Sequence, residues 1–149
     1  MTNQGSAVHG SAVQRLNSDA EPVFAKAGIT CFEDIEAWQL ARELTRQVYR
    51  LTKKQGFEKD YGLKRQIQEA AGSAMHNIAE GFDSESNVEF IRFLRYAKRS
   101  YTEVQSELYV AIDEEYISMV EFKEVYEQAR RTGRPFADSS TNSRNTKRA

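Results

Sequence analysis

One helix carries a seam. Phe90, Leu94, Ala97, Tyr101, Val104, Leu108 and Ala111 recur in alternating steps of four and three. That spacing keeps apolar side chains on one stripe of a helix, here for about three heptads. A strand would bury every second residue instead, and no such alternation occurs along the chain. The seam helix is predicted to open at a Ser86 to Glu89 capping box and to run to about Asp113. Phe93, Tyr96, Tyr109 and Ile112 flank the seam, so more than one face of this helix is expected to be covered.

The prolines extend this reading. Pro22 and Pro135 are the only two, so no proline breaks a helix between them. A first helix is predicted from about Asp34 to Gln55, with Thr30 and Glu33 as a capping box and Gly56 as its stop. Its stripe is Ile35, Trp38, Ala41, Leu44, Val48 and Leu51. A second runs from Tyr61 to Glu80, with Asp60 as N-cap, and Gly81 is expected to end it. Leu63, Ile67, Ala70, Ala74 and Ile78 form its apolar face. Gly72 in its small-residue centre costs about 1 kcal/mol relative to Ala, so a neighbouring helix backbone is expected to come close there. The last helix, about Ser118 to Arg131, is marked by Met119, Phe122, Val125 and Tyr126 and closed by Gly133 and Pro135. Short connections between long helices favour antiparallel neighbours. The expected fold is all-α: an antiparallel up-down four-helix bundle with a short fourth helix, assembling into a ring.

The 40% hydrophobic fraction is unevenly spread. Numbers 1–31 are expected to form a disordered N-terminal tail, 32–132 the bundle, and 133–149 a disordered polar C-terminal tail, because neither end can bury enough surface to offset ordering entropy. The single Cys31 rules out an internal disulfide and suits a reducing compartment. The N-terminus has no secretory h-region, and no run is long enough to span a bilayer. The expectation is a cytoplasmic protein with no membrane partner.

Net charge is −1, which gives no global signal for nucleic acid. The distribution is lopsided: Arg42 to Arg99 holds 12 Lys/Arg against 8 Asp/Glu, and Glu103 to Glu127 holds 8 acids and one base. Such asymmetry suits head-to-tail packing of subunits or a charged ligand. Arg42, Arg46, Arg50 and Lys53 share one helix face. Arg92, Arg95 and Arg99 share another, with Lys98 beside them. They read either as a phosphate-binding surface or as solvated faces paired with Glu43, Glu89 and Glu103.

His76 and Glu80 stand one turn apart, but a di-metal bundle needs two Glu-x-x-His motifs and two further glutamates. A structural or surface role fits them better, with Asn77 expected to satisfy backbone groups at a helix crossing and Glu80 to set the end of the second helix. Trp38 lies on an apolar stripe and reads as core. Cys31 has no base nearby in sequence to activate it. No nucleotide loop, nucleophile elbow, metal-ligand spacing or DNA-reading helix is present. No catalytic residue, cofactor, metal or small-molecule substrate is therefore inferred.

The order of these residues resembles a known family. Phe32-Glu33-Asp34-Ile35 with Trp38-Gln39 and Ala41 is similar to the opening of the four-helix-bundle, 23S rRNA-intervening-sequence proteins. Tyr49-Arg50-Leu51-Thr52, Tyr61-Gly62-Leu63 and Gln66-Ile67 continue it. Asn77-Ile78-Ala79-Glu80-Gly81 looks like the family's most telling stretch, and Trp38, Asn77, Glu80 and Gly81 are its structural motif positions here. Gln68-Glu69 depart from the two arginines that many members carry. The resemblance implies a ring, usually a pentamer. It also implies kinship with accessory proteins of diversity-generating retroelements, which bind a reverse transcriptase and nucleic acid. The reading is a non-enzymatic, homo-oligomeric binding or scaffold protein. The alternative is an RNA-binding accessory factor acting with a reverse transcriptase, and a third is an enzyme with a site at a subunit interface.

Overall fold

The computed structural model describes residues 23–134. Of the expected tails, 1–31 and 133–149, residues 1–22 and 135–149 lie outside the described residues, and Gly133 is the last residue of α5. Five α-helices follow in order: α1 (Val23–Lys26), α2 (Glu36–Leu51), α3 (Tyr61–Asp83), α4 (Asn87–Asp113) and α5 (Met119–Gly133), with 3₁₀ turns at Phe32–Asp34 and Phe57–Lys59. No strand occurs among the described residues. The four long helices close a square in which α3 packs on α2 and α4, and α5 packs on α4 and α2.

The seam is spent inside the subunit. Ala97, Tyr101, Val104, Leu108 and Ala111 are buried, as are Leu44 and Val48 of α2, Ile67 and Ile78 of α3 and Val125 of α5. The flanking residues divide: Ile112 packs against the core, whereas Tyr96 and Tyr109 are exposed by 37% and 52%. The expectation that the flank is covered fails for these two tyrosines within one chain.

Capping chemistry sets three of the helix starts. The Asp60 carboxylate accepts from the Leu63 N–H at 3.1 Å, opening α3. The Ser86 hydroxyl accepts from the Glu89 N–H, opening α4. At α5 the box is complete, with Ser118 accepting from Glu121 N–H and the Glu121 carboxylate accepting from Ser118 N–H. The Thr30–Glu33 box expected for the first helix does not form. A 3₁₀ turn intervenes, and α2 starts at Glu36 behind Ile35, which makes no side-chain cap.

Two further boundaries differ. α2 ends at Leu51 rather than Gln55, because the chain turns at Gly56 (φ +89°) and drives Phe57 into the core, where it is fully buried and stacks on Tyr116 at 5.4 Å. α3 runs through Gly81 to Asp83. Gly81 is not a stop but a close crossing: a Cβ there would lie 2.9 Å from the Phe93 Cβ and 3.0 Å from the Phe90 ring. Gly72 is the converse, since a Cβ there would meet nothing within 4 Å. The close backbone expected over Gly72 is therefore absent within the subunit.

Residues 23–29, assigned to the tail on composition, fold onto the bundle. Gly28 (φ +72°) ends α1, with its N–H on the Ala25 carbonyl and the Ile29 N–H on the Phe24 carbonyl. This paired αL closure is a common helix terminus. It seats Phe24 against Phe82 at 4.6 Å and Phe90 at 5.5 Å.

Candidate interaction faces

The loop-bearing end of the bundle is fixed by side chains. The Tyr116 hydroxyl donates to Asp60 at 3.2 Å, and Lys54 pairs with Glu121 at 2.5 Å. The connections 52–60 and 114–118 thus share one end. The Lys54 ammonium, then the Ser118 N–H, hold the Glu121 carboxyl below the usual glutamate range.

The basic residues named from sequence are all on the surface. Arg42, Arg46 and Arg50 lie opposite the buried stripe of α2, Lys53 is exposed in the turn after the helix ends at Leu51 and so does not continue that face, and Arg92, Arg95, Lys98 and Arg99 are exposed on α4. Arg46 pairs with Glu43 at 3.2 Å and Arg92 with Glu89 at 2.6 Å. The others in the two sets have no carboxylate within ion-pair range among the described residues. Arg42 sits 5.8 Å over the Trp38 ring, and Arg92 and Arg99 approach Tyr96 at 6.0 and 5.7 Å. Because α2 and α4 are diagonal in the square, the two sets do not meet in one groove of a subunit.

A groove of about 610 Å³ runs along the outer surface of α3 over Gly72, with Tyr49 of α2 on one rim and Ser73, His76, Asn77 and Glu80 along its length. The amide of Asn77 donates to the Ser73 carbonyl and hydroxyl at 2.8 and 3.1 Å, and Ser100 of α4 donates to the same hydroxyl at 3.3 Å. Asn77 thus acts at the α3–α4 crossing. Glu80 stands exposed on the groove and does not set a helix end; its carbonyl accepts from Ser84 N–H beyond it. His76 is exposed, and no group of three or more potential metal-ligating side chains occurs among the described residues. Trp38 is half-buried, edge-on to Phe32 at 5.0 Å. The Cys31 thiol donates to the Asp34 carboxylate at 3.1 Å, and that bond raises its pKa from the ordinary thiol value.

On the opposite side of the square, between α4 and α5, lies an aromatic cluster. Tyr109 meets Phe122 at 5.0 Å and Tyr126 at 5.9 Å, and Phe122 stacks on Tyr126 at 5.3 Å. Met119 beside it is 54% exposed. The periodicity reveals these residues as one helix stripe, but their exposure depends on how far α5 rolls against α4.

The family model for the 23S rRNA-intervening sequence protein matches residues 33–136. The chain belongs to that family. A crystal structure of a protein of unknown function from the S23 ribosomal protein family of Bacteroides thetaiotaomicron has the same fold, with a TM-score of 0.62 and 19% identity over 68% of this chain and 95% of that one. No curated protein matches. α1 and its Phe24 lie ahead of the residues that the family model matches. No helix among the described residues is long and apolar enough to cross a membrane.

Proposed function

We propose that this member of the 23S rRNA-intervening sequence family is a non-catalytic, self-assembling binding protein. The observation that carries the reading is the aromatic cluster of Tyr109, Phe122 and Tyr126. Phe122 and Tyr126 lean on the core from its rim, and Tyr109, more than half exposed, leaves the outer edge of the cluster open. Aromatic side chains and methionine, half-exposed together and rimmed by charge, are the composition of a protein interface. Family resemblance points to a closed ring of five. Tyr109→Lys places a charge on the exposed edge of the cluster and should leave the helical signal unchanged while lowering the sedimentation coefficient. An unchanged coefficient would set the reading aside.

A second reading rests on the cations with no carboxylate in ion-pair range among the described residues: Arg42 and Arg50 on α2, Lys53 just beyond its end, and Arg95, Lys98 and Arg99 on α4. A ring multiplies each weak phosphate contact through effective concentration. On this reading RNA affinity falls steeply between ~50 and ~200 mM salt as condensed counterions are released. Arg42, Arg46 and Arg50 replaced together by Glu should abolish binding in a filter assay. Absence of binding at the lower salt removes this reading and leaves the first intact.

A further inference from the structure

We infer that the pocket beside Trp38, at the start of α2, is a binding site for a free aromatic amino acid. The cavity measures about 330 Å³ and is lined by Glu33, Trp38, Gln39, Arg42, Glu43 and Arg46, none of which lines the groove on α3. Small-molecule sites run from roughly 300 to 1,000 Å³, so this one has room for a single ring and a short polar backbone. Trp38 is half-buried, and Phe32 meets its indole edge-on at 5.0 Å. The Gln39 amide donates to the Glu33 carbonyl at 2.9 Å, which ties the 3₁₀ turn to α2 beside the indole. The platform is therefore built before any ligand arrives.

Charge selects the ligand. Two guanidiniums and two carboxylates line the cavity, so it has no excess of either sign to offer a phosphate or a lone ammonium. Arg46 and Glu43 already pair with each other at 3.2 Å. That leaves one cation, Arg42, and one anion, Glu33, each with no oppositely charged side chain in ion-pair range among the described residues. Arg42 rests 5.8 Å from the centre of the Trp38 ring, close to the outer limit of cation–π contact at about 6 Å. An incoming ring can take that place by stacking on the indole. Arg42 then turns its planar fork to a carboxylate, its preferred partner, and the Glu33 carboxylate accepts from an ammonium. One ring, one carboxylate and one ammonium side by side describe a free aromatic amino acid. Within a peptide both charged groups are consumed in amide bonds, and a chain terminus keeps only one of them.

The sole tryptophan of the chain is the floor of the site, so its emission reports binding directly. L-phenylalanine, which is dark at tryptophan excitation wavelengths, should shift Trp38 emission in a saturable titration of the full chain. Phenethylamine, which lacks the carboxylate, and 3-phenylpropionate, which lacks the ammonium, should each bind about tenfold more weakly, the loss of one charge-assisted hydrogen bond. Glu33→Gln and Arg42→Gln change exposed side chains and should keep the wild-type helical signal. Glu33→Gln should weaken L-phenylalanine and phenethylamine and leave 3-phenylpropionate unchanged. Arg42→Gln should weaken L-phenylalanine and 3-phenylpropionate and spare phenethylamine. Unchanged Trp38 emission, together with no saturation transfer from protein to ligand ring by NMR, overturns the site. Equal affinity for all three ligands, or binding that neither substitution alters, overturns the assignment of an amino acid.

Discussion

Gly72→Ala and Gly81→Ala make the same chemical change on one helix, and they should differ in stability by the energy of one overpacked contact. Both gain about 1 kcal/mol of helix propensity, so that contribution cancels in the difference. At Gly72 the new methyl meets nothing within 4 Å in its own subunit, and the variant should be more stable by that amount. At Gly81 the methyl falls 2.9 Å from the Phe93 Cβ. A Cβ is fixed to its backbone and cannot rotate aside, so α3 and α4 must part by some tenths of an ångström. Overpacking of this kind costs about 1–3 kcal/mol, which leaves Gly81→Ala between neutral and about 2 kcal/mol destabilised. Thermal midpoints should separate by roughly 4–8 °C per kcal/mol of that difference for a domain near this size. Unfolding should be followed by circular dichroism, at a dilution where the wild-type midpoint no longer depends on concentration, so that assembly does not enter. If Gly81→Ala gains as much stability as Gly72→Ala, the crossing is looser than described and the argument fails.

Ala74→Leu should destabilise by about 1–3 kcal/mol, because Ala74 is fully buried, whereas the exposed His76→Ala should stay within about 0.5 kcal/mol in urea melts. Phe24→Ala should cost less than the roughly 3–5 kcal/mol of an enclosed phenylalanine and lower the thermal midpoint in proportion; an unchanged midpoint would mean α1 is not docked. The Glu121 carboxyl lies below its ordinary 4.5 in the folded state. Its stabilisation is therefore present above that value and lost as pH falls through the lowered folded value. Glu121→Gln should reduce stability at neutral pH and flatten the acid limb of a urea-midpoint profile, and parallel profiles would contradict the Lys54–Glu121 pairing.

The helices were legible because each buries a stripe at helical spacing, and α4 kept its expected seam from Ala97 to Ala111. The caps Asp60 and Ser86 were equally plain, since a short acceptor before an amphipathic run serves one purpose. Ser118 was missed as a cap although Glu121 three residues on is its signal. Phe57 and Phe24 were missed for another reason: each is a single ring outside any periodic run, and only tertiary packing decides its burial. The glycines of α3 were misread together. A run of small residues says that some close approach exists, but rotating by one residue moves the position by 100° around the helix. Periodicity could not tell that Gly81 meets α4 while Gly72 faces outward. The groove escaped notice because Tyr49 and Gly72 share it across two helices. The basic faces were found residue by residue, but their diagonal placement needed the order of the helices in the square.

The measurement that bears most directly on the account is the mass of the wild-type chain by light scattering across a dilution series from high to low micromolar concentration. A closed assembly predicts one mass that is a whole multiple of 17.1 kDa and holds across the series, about 85 kDa for a ring of five. A mass of 17.1 kDa throughout would contradict it, leaving Tyr109 and Met119 without a partner of their own kind.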